Sequence, residues 1–395
     1  MTILYLAYWG VNDGLTSSTV FPHIEELCNF NKIDKIIFVT IERNKEKVSY
    51  VGPKNKKIEF SPIYSKNLRP NILTKMVDFI VFPKELISIC KKNKVKKIIS
   101  RGAPAGALAY KVYKATNIPF LVESFEPHAD YMLESGVWQK WNPKYIFEKR
   151  WEQKIKEFAD SLITVSTNYS RQLVKEGVPA ERIEMVPCCV NQQAFKLDTK
   201  MRLATRKRLG ITNSQTVGIY VGKFGGIYYD QEAFHVFKKT YDIFDSCFFF
   251  IILSPDDPEE IKKKFTLVGI PLAVTFIDKV PHEVVPNYLS AADFAFSTIR
   301  PAPSRKFCCA IKNGEYWANG LPILTTEDVG DDTDIIKKEN KGGVIFNEQS
   351  LNGALANMKS ILKNTSREDR GNELTALAIK YRSFDILKSV YKRLI

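Results

Sequence analysis

Short runs of apolar residues alternate along this chain with longer segments in which apolar residues recur every three or four positions. Each short run has the length of a buried β-strand, and each longer segment has the period of an amphipathic helix. Regular alternation of this kind is typical of βα units, which form parallel sheets with helices on both faces. The pattern therefore predicts an α/β protein.

The predicted strands fall into two series, one in each half of the 395 residues. The strands of the first series are expected at residues 2–7, 35–41, 97–100, 119–123, 161–165 and 183–186. The strands of the second series are expected at residues 216–221, 246–253, 272–277, 293–297, 321–324 and 343–346. Each half is thus predicted to be a Rossmann-like, doubly wound domain.

The two predicted domains meet near residue 190. We expect residues 1–190 to form the first domain and residues 191–382 the second, with a C-terminal helix at 383–395 that packs back on the first domain. No long linker rich in Gly, Pro or Ser separates them, so we expect the domains to face each other across a cleft. Ligands of such sheets bind at the carboxyl ends of the strands, and we expect the ligand in that cleft.

Composition excludes several classes of protein. Hydrophobic residues make up 45% of the chain and charged residues 26%, which is typical of a globular enzyme and excludes a disordered protein. No apolar run approaches the ~20 residues that a membrane-spanning helix needs. The first residues lack the basic leader and the small-residue cleavage site of a signal peptide, so we expect a cytoplasmic protein.

Positive charge is concentrated in the first half of the chain. The formal net charge is +14, and residues 1–200 contain 31 Lys and Arg against 21 Asp and Glu, while residues 201–395 contain 27 against 23. Such an excess attracts phosphorylated substrates or anionic headgroups, although a Lys-rich background composition also produces it. No recognised nucleic-acid module is present, so no nucleic-acid partner is expected. The amphipathic, Lys-rich segment 84–97 is either a solvated helix face or a contact with an anionic membrane surface.

The seven cysteines show no metal-binding or disulfide spacing. They are odd in number, include two adjacent pairs, Cys188 with Cys189 and Cys308 with Cys309, and contain no C-x-x-C. This pattern argues against a disulfide framework and against a zinc site, so we expect reduced, structural thiols. No D-x-D sequence follows a predicted strand, and no bound metal is expected.

Residues 312–326, with the sequence KNGEYWANGLPILTT, are the most informative stretch. They predict a short helix that ends at Gly320, followed by a strand. Glu315 lies in the early turns of this helix, where a carboxylate can accept hydrogen bonds from both hydroxyls of a ribose. Lys312 lies one turn earlier on the same face, where it can meet a diphosphate. The alternative is a solvated helix surface.

Two turns are further candidates for phosphate binding. Gly222 and Lys223 follow the predicted strand at 216–221, where glycine permits close approach of the backbone and lysine supplies a point charge. Gly14 lies between the first predicted strand and a helix, in a loop that tolerates an anion. Both turns are also compatible with ordinary βα connections.

His128 is a candidate because of its acidic surroundings. Glu123, Glu126, His128 and Asp130 fall within eight residues, directly after a predicted strand, at the sheet edge where ligands bind. A purely structural role is the alternative for this histidine. The remaining histidines fall in helical segments and are predicted to be structural; they are His23, His235 and His282.

Several of these motifs together resemble one family. The stretch 312–326 is similar to the nucleotide-sugar signature of family-4 glycosyltransferases of the GT-B type, in which a Lys, a Glu-Tyr pair and an A-x-G-x-P turn recur. Residues 159–166 (ADSLITVS) and 183–195 (IEMVPCCVNQQAF) resemble two further motifs of that family. The similar features extend over most of the chain.

The chain departs from the family pattern at three places. Phe307 stands where the family has its first Glu, and Tyr228 stands where it has a second basic residue after the V-G-K turn. In one connection, Cys188 and Cys189 replace its usual Asn-Gly and Asn191 replaces its usual Asp. The group that holds the donor sugar is therefore not identified by the motif.

The resemblance implies a GT-B architecture and a retaining, metal-independent glycosyltransferase, expected to be a hexosyltransferase. Its donor is a nucleoside diphosphate sugar, and no cofactor is required. The acceptor is expected to be a saccharide or a lipid-linked molecule of cell-surface polysaccharide or glycoconjugate synthesis. This implies a cytoplasmic protein with possible peripheral contact at the inner face of the cell membrane.

The resemblance also implies roles for the matching residues. His128 would touch the donor sugar, Lys223 would stabilise the leaving diphosphate and Glu315 would hold the ribose, and these three are the catalytic candidates. The donor-binding candidates are Gly14, Gly222, Lys223, Arg305, Lys306, Lys312 and Glu315. Two alternatives stay open: a nucleotide-sugar epimerase of the same fold, and a basic module that binds membrane or polyanion.

Overall fold

The computed structural model describes residues 1–43, 47–66 and 71–395. The chain forms two compact units, of which the first comprises Met1–Val186 together with Asp385–Ile395 and the second comprises Pro187–Phe384. Each unit contains one main parallel β-sheet and helices that connect its strands. The predicted α/β class is confirmed.

The sheet of the first unit has the order β3-β2-β1-β5-β6-β7-β8, and a short strand β4 pairs with the far end of β2. Its strands are β1 Thr2–Ala7, β2 Lys35–Glu42, β3 Ile58–Phe60, β4 Ile63–Tyr64, β5 Lys97–Arg101, β6 Phe120–Phe125, β7 Ser161–Thr164 and β8 Ile183–Met185. The helices are α1 Phe21–Cys28, α2 Asn71–Lys92, α3 Gly102–Thr116, α4 His128–Glu134, α5 Pro143–Phe158 and α6 Thr167–Lys175, and a π-helical turn at Thr16–Val20 leads into α1.

The sheet of the second unit has the order β11-β10-β9-β12-β13-β14. Its strands are β9 Thr216–Val221, β10 Phe248–Leu253, β11 Thr275–Asp278, β12 Phe294–Ser297, β13 Ile323–Thr326 and β14 Gly343–Phe346. The helices are α7 Thr199–Arg208, α8 Gln231–Phe244, α9 Pro258–Leu267, α10 Val285–Ala291, α11 Ile311–Ala318, α12 Gly330–Glu339, α13 Leu351–Asn364 and α14 Arg367–Arg382, and the last helix of the chain is α15 Phe384–Leu394.

The observed strands differ from the predicted ones where an apolar run does not pair as a strand, or where a paired strand is not an apolar run. Short 3₁₀ turns at Asp245–Cys247 and Leu272–Val274 occupy the start of two predicted strands. The sequence also missed β3 and β4, because both are short and only Ile63 among their residues is buried. Apolar residues mark burial, and a buried turn is as apolar as a buried strand.

Two hydrophobic clusters cover the two faces of the second sheet. One face packs Ile219 and Ile323 against Trp317, while the other packs Phe250 and Phe296 into a separate aromatic cluster. Helix α11 belongs to the first cluster through Tyr316 and Trp317, which are fully buried. This packing fixes α11 against the sheet.

Two polar bonds complete the attachment of α11. The amide of Val221, the last residue of β9, donates to the Tyr316 hydroxyl at 3.1 Å, and the Trp317 indole donates to the Gly342 carbonyl at 2.8 Å. The helix ends at Ala318, and Gly320 lies two residues beyond it, where a φ of +76° and close approach to the Gly371 backbone exclude a larger side chain. The predicted stop of the helix by Gly320 is confirmed.

The first unit includes the C-terminal residues, and a buried carboxylate joins them to its sheet. Glu123 in β6 accepts hydrogen bonds from Tyr5 at 2.7 Å and from Tyr391 of α15, and it lies 3.1 Å from His23 and 3.4 Å from Arg101. Burial alone raises the pKa of Glu123, but these partners outweigh it and hold the pKa at about 2. The charge of Glu123 is thus fully compensated.

Candidate functional site

The strand order of the second unit predicts where a ligand binds. The sheet winds in opposite directions on the two sides of the β9 and β12 pair, so the connections that leave these strands run to opposite faces. The turn after β9 contains Gly222 and Lys223, and the segment after β12 leads through a 3₁₀ turn at Arg305–Phe307 into α11. The candidate residues of this unit therefore gather at one carboxyl edge.

Lys312 lies in the first turn of α11 and points at the turn after β9. Its Nζ donates to the Val221 carbonyl at 3.3 Å and lies 4.6 Å from the centre of the Tyr220 ring and 4.3 Å from the centre of the Tyr228 ring. A Cβ atom added to Gly222 would lie 3.3 Å from this Nζ. Glycine at 222 thus leaves room for the amine beside the backbone.

The Lys312 amine is strongly desolvated. Only 8% of the residue is exposed, and no ion pair joins Lys312 to a carboxylate within the described part of the chain. Burial lowers the pKa of Lys312 to about 7, and the charge of Glu315 only partly opposes this shift. The two aromatic rings favour the cation, but they do not replace a counter-ion.

Glu315 lies one helical turn after Lys312 and is also buried. Its Oε1 accepts a hydrogen bond from His282 Nε2 at 2.8 Å. The His282 ring in turn lies 5.4 Å from the ring of Phe195, and the bond to Glu315 raises the pKa of His282 although partial burial lowers it. The carboxylate of Glu315 is therefore held in one orientation.

His282 is a site residue that the sequence analysis missed. It lies in a 3₁₀ turn at His282–Val284 after β11, and it was predicted to be structural because its segment is helical. No motif near His282 in the sequence indicates a contact with Glu315, which lies 33 residues further along the chain. Only the alignment of β11 and α11 at the same sheet edge brings the two together.

Lys223 lies on the same turn as Gly222, but it is exposed. The turn is held by its backbone: the Gly222 amide donates to the Leu253 carbonyl at 2.9 Å, and the Phe224 amide donates to Asp256 Oδ2 at 2.7 Å. Gly222 has a φ of +139°, a conformation that favours glycine. The structure thus places Lys223 at the solvent side of the turn that Lys312 approaches from inside.

Arg305 and Lys306 lie in the 3₁₀ turn before α11 and differ in exposure. Arg305 is buried and donates to Ser304 Oγ at 3.0 Å. Lys306 is exposed, and its Nζ lies 5.0 Å from the centre of the Phe307 ring. Among the four basic candidates of this unit, Lys312 and Arg305 are therefore interior groups and the other two face solvent.

The remaining two candidates belong to the first unit. His128 begins α4, and its Nδ1 lies 2.7 Å from Glu148 Oε1. Burial lowers the pKa of His128, but the hydrogen bond and charge of Glu148 outweigh it, so the pKa is raised. Gly14 is exposed, and a Cβ atom there would meet no neighbour within 4 Å. A side chain would therefore fit at position 14, so packing does not require glycine there.

Two acidic residues beside His128 titrate near neutral pH. Burial raises the pKa of Glu126 to about 7, against the opposing charges of Arg101 and His128. Burial also raises the pKa of Glu152 to about 7, although Glu152 Oε1 accepts the Ala129 amide at 2.9 Å. Groups that titrate near the operating pH cluster at functional sites, which supports the choice of this loop.

No group of three or more His, Cys, Asp or Glu side chains in residues 1–43, 47–66 and 71–395 is arranged to hold a metal ion. None of the helices described for this chain is long and apolar enough to cross a membrane.

We predict that the Lys312 amine titrates near pH 7, because its ammonium form is desolvated. NMR of protein labelled with ¹³C at the lysine ε-carbons should show one resonance with a midpoint near 7, and this resonance should be absent from the Lys312→Met variant. Ordinary lysines, with midpoints near ~10.4, provide the internal control. A spectrum in which every lysine titrates above about 9 would contradict the prediction.

Comparison with known proteins identifies the fold and a partial similarity to one family. Residues 43–194 match the model of Glycosyltransferase Family 4. No curated protein matches the chain by sequence. The search of solved structures, in contrast, finds many similar chains.

The similar structures are glycosyltransferases that cover nearly the whole chain. HepE of Anabaena, solved with UDP, is 12% identical with a TM-score of 0.72 and covers 100% of this chain and 99% of its own. Sucrose-phosphate synthase of Thermosynechococcus elongatus is 16% identical with a TM-score of 0.73 and covers 100% and 98%. WaaG, a glycosyltransferase of lipopolysaccharide biosynthesis, is 14% identical with a TM-score of 0.70 and covers 99% of both chains.

These similarities establish a GT-B fold, as the family resemblance implied. This chain has the GT-B fold, and its residues 43–194 are similar to Glycosyltransferase Family 4.

Proposed function

We propose that this protein transfers a sugar from a nucleoside diphosphate donor to a hydroxyl acceptor, with retention of configuration and without a metal ion. One observation carries the proposal: the buried amine of Lys312, which lies against the turn after β9. An anion bound at this turn would restore the full charge of the ammonium and recover the free energy that desolvation costs. A diphosphate is an anion of the right charge for this position.

Lys312 would stabilise the diphosphate as it leaves. Charge develops on the leaving group in the transition state, and a fixed, desolvated ammonium stabilises it more than a solvated one. Lys223 would act from the exposed side of the same turn, and Arg305 and Lys306 lie just before α11. HepE binds UDP and UDP-glucose, which supports a uridine diphosphate donor here.

Glu315 would bind the ribose of the donor. His282 occupies Oε1 of the carboxylate, so Oε2 and the second lone pair of Oε1 are the acceptors for the ribose hydroxyls. His282 would act as a positioning residue that fixes the rotamer of Glu315. In the first unit, His128, oriented by Glu148, and the loop at Gly14 would contact the donor sugar.

We predict that Glu315→Gln weakens donor binding, because an amide accepts weaker hydrogen bonds than a carboxylate. The loss should be ~1.5 to 3 kcal/mol, or roughly 10- to 100-fold in affinity. UDP, GDP and ADP should first be compared by thermal unfolding, and the nucleotide that stabilises the protein most should then be titrated by calorimetry.

The control is Glu368→Gln, which alters an exposed Glu at the start of α14. This variant should bind the nucleotide as the unmodified protein does. Equal affinity of folded Glu315→Gln and the unmodified protein would refute the ribose role. A protein that no nucleoside diphosphate stabilises would instead be a binding module for membrane or polymer.

Retention and metal independence can be tested in one experiment. With UDP-glucose in EDTA and water as the acceptor, proton NMR should show release of UDP and first appearance of the α-anomer of glucose. Release of the β-anomer would show inversion, and turnover that requires added Mg²⁺ or Mn²⁺ would contradict the metal-free mechanism. Conversion of the donor to its epimer without release of UDP would favour the epimerase alternative.

We further propose that the acceptor is a saccharide or lipid-linked molecule of cell-surface glycan synthesis, met at the inner face of the cell membrane. Four lysines at the end of α2 and the start of β5 are exposed: Lys91, Lys92, Lys94 and Lys96. The structure removes Lys97 from this basic group, because its Nζ lies 3.1 Å from Asp160 and donates to the Leu394 carbonyl at 2.8 Å. The four lysines lie at the amino edge of the first unit's sheet, and His128 follows a strand at its carboxyl edge.

The combined change of Lys91, Lys92 and Lys94 to Gln should weaken binding to vesicles that contain anionic lipid. Each lysine near such a surface contributes ~1 kcal/mol, and the attraction falls with added salt. Sedimentation with vesicles should therefore decrease, while nucleotide affinity stays unchanged. The matched control changes three exposed lysines of the second unit, Lys196, Lys200 and Lys207, with the same loss of charge. If the unmodified protein fails to sediment at low salt, the acceptor is soluble.

A further inference from the structure

Two thiols of the second unit that are far apart in sequence lie in contact. The Cys188 amide donates to Cys309 Sγ at 3.2 Å, and Cys188 Sγ donates to the Cys309 carbonyl at 3.4 Å. Cys188 also forms a side-chain hydrogen bond to the Cys309 thiol. Both residues are partly exposed.

A cation lies beside one of these sulfurs. The guanidinium of Arg382 contacts Cys309 Sγ, and its other nitrogen pairs with Asp332. Arg382 is itself fixed, because its carbonyl accepts the Val190 amide at 2.9 Å and its aliphatic stem packs against Gly314 of α11. Cys309 therefore lies in an electropositive, preorganised environment, which is typical of reactive cysteines.

The same groups favour the thiolate of Cys309. Burial raises the pKa of this thiol and Asp332 opposes the thiolate, but the hydrogen bonds from Cys188 and the charge of Arg382 outweigh both, so the pKa is lowered. Cys309 also lies just before the N-terminus of α11, where the helix dipole favours negative charge. In contrast, burial raises the pKa of Cys28 and raises that of Cys90 to about 12.

We propose that Cys309 and Cys188 form a redox site that reacts with hydroperoxides, with Cys309 as the attacking thiolate and Cys188 as the resolving thiol. Nothing in the transfer reaction uses these thiols, so the site is independent of the proposed function. It replaces the structural role that the sequence analysis expected for both residues.

The reaction balances in two steps. In the first, the Cys309 thiolate attacks one oxygen of hydrogen peroxide, the O–O bond breaks, and Cys309 sulfenic acid and hydroxide form. In the second, the thiol of Cys188 attacks the sulfenic sulfur, its proton joins the leaving hydroxyl, and a disulfide and water form. Peroxide is reduced by two electrons, and the two thiols supply them.

The proposed disulfide would join two segments of the second unit that are far apart in sequence. Cys188 is the second residue of the unit Pro187–Phe384, and Cys309 precedes α11 by two residues. A disulfide between them would draw Cys309 away from Arg382 and fix the segment that leads into α11. Reduction by a thiol would restore the original contacts.

The test uses the full chain, reduced and then freed of reductant, with hydrogen peroxide at an equal concentration. After digestion without reductant, mass spectrometry should show one cross-linked species that joins the peptides of Cys188 and Cys309. Reduction with dithiothreitol should separate these two peptides. Fragmentation of the cross-linked peptides should show that the bond joins Cys188 and Cys309, and not their neighbours Cys189 and Cys308. Cys247, which is exposed, is the internal control and should stay reduced while the cross-link forms.

Variants separate the two roles. Cys188→Ser should leave Cys309 as a sulfenic acid that dimedone traps, whereas Cys309→Ser should leave Cys188 unmodified at the same peroxide dose. Cys189→Ser and Cys308→Ser should both retain the cross-link. A disulfide between Cys188 and Cys189 or between Cys308 and Cys309, oxidation of Cys247 before Cys309, or survival of both thiols at tenfold excess peroxide would overturn the proposal.

Discussion

The candidate site depends on the burial of helix α11. Tyr316 and Trp317 anchor this helix on the second sheet, and Gly320 ends it against the backbone at Gly371. A helix held so closely carries its other residues inside as well, so Lys312 and Glu315 become interior groups despite their charge. The shift in the pKa of Lys312 from 10.5 to about 7 corresponds to roughly 5 kcal/mol between its two protonation states. This free-energy cost of charging Lys312 remains unless an anion binds beside its amine.

The aromatic residues around Lys312 partly offset the cost of burying its ammonium group. Tyr220 and Tyr228 place their rings within 4.6 Å of the amine, so the ammonium has a partner even without a counter-ion. Tyr228 stands where the family pattern has a second basic residue, and an aromatic ring at this place stabilises the existing cation instead of adding another. The charge that faces a diphosphate is therefore concentrated on few groups.

The first unit shows the difference between a structural charge and a candidate functional one. Glu123 is buried among a histidine, an arginine and two tyrosines, which compensate its charge and hold its pKa low. Glu126, three residues later, is half-buried without comparable partners, and desolvation raises its pKa to about 7. Neighbouring carboxylates on one strand and its following loop thus have opposite protonation behaviour, because one is fully bonded and the other is not.

The sequence by itself determined the class of fold and the main site motif. The alternation of buried strands and amphipathic helices follows from burial and period alone, and the helix at Lys312 and Glu315 that ends at Gly320 is encoded by local residues. The strands β3 and β4 and the two 3₁₀ turns escaped prediction, because hydrophobicity reports burial and not backbone pairing.

Only the tertiary structure decided the surroundings of the candidate residues. The contact of His282 with Glu315, the rings around Lys312 and the contact of Arg382 with Cys309 join residues that are 33 or more positions apart. Their protonation depends on desolvation and on partners from other elements, and neither can be derived from residue type. A charged residue in a helix has the same local sequence whether it faces water or the interior, so only packing distinguishes the two.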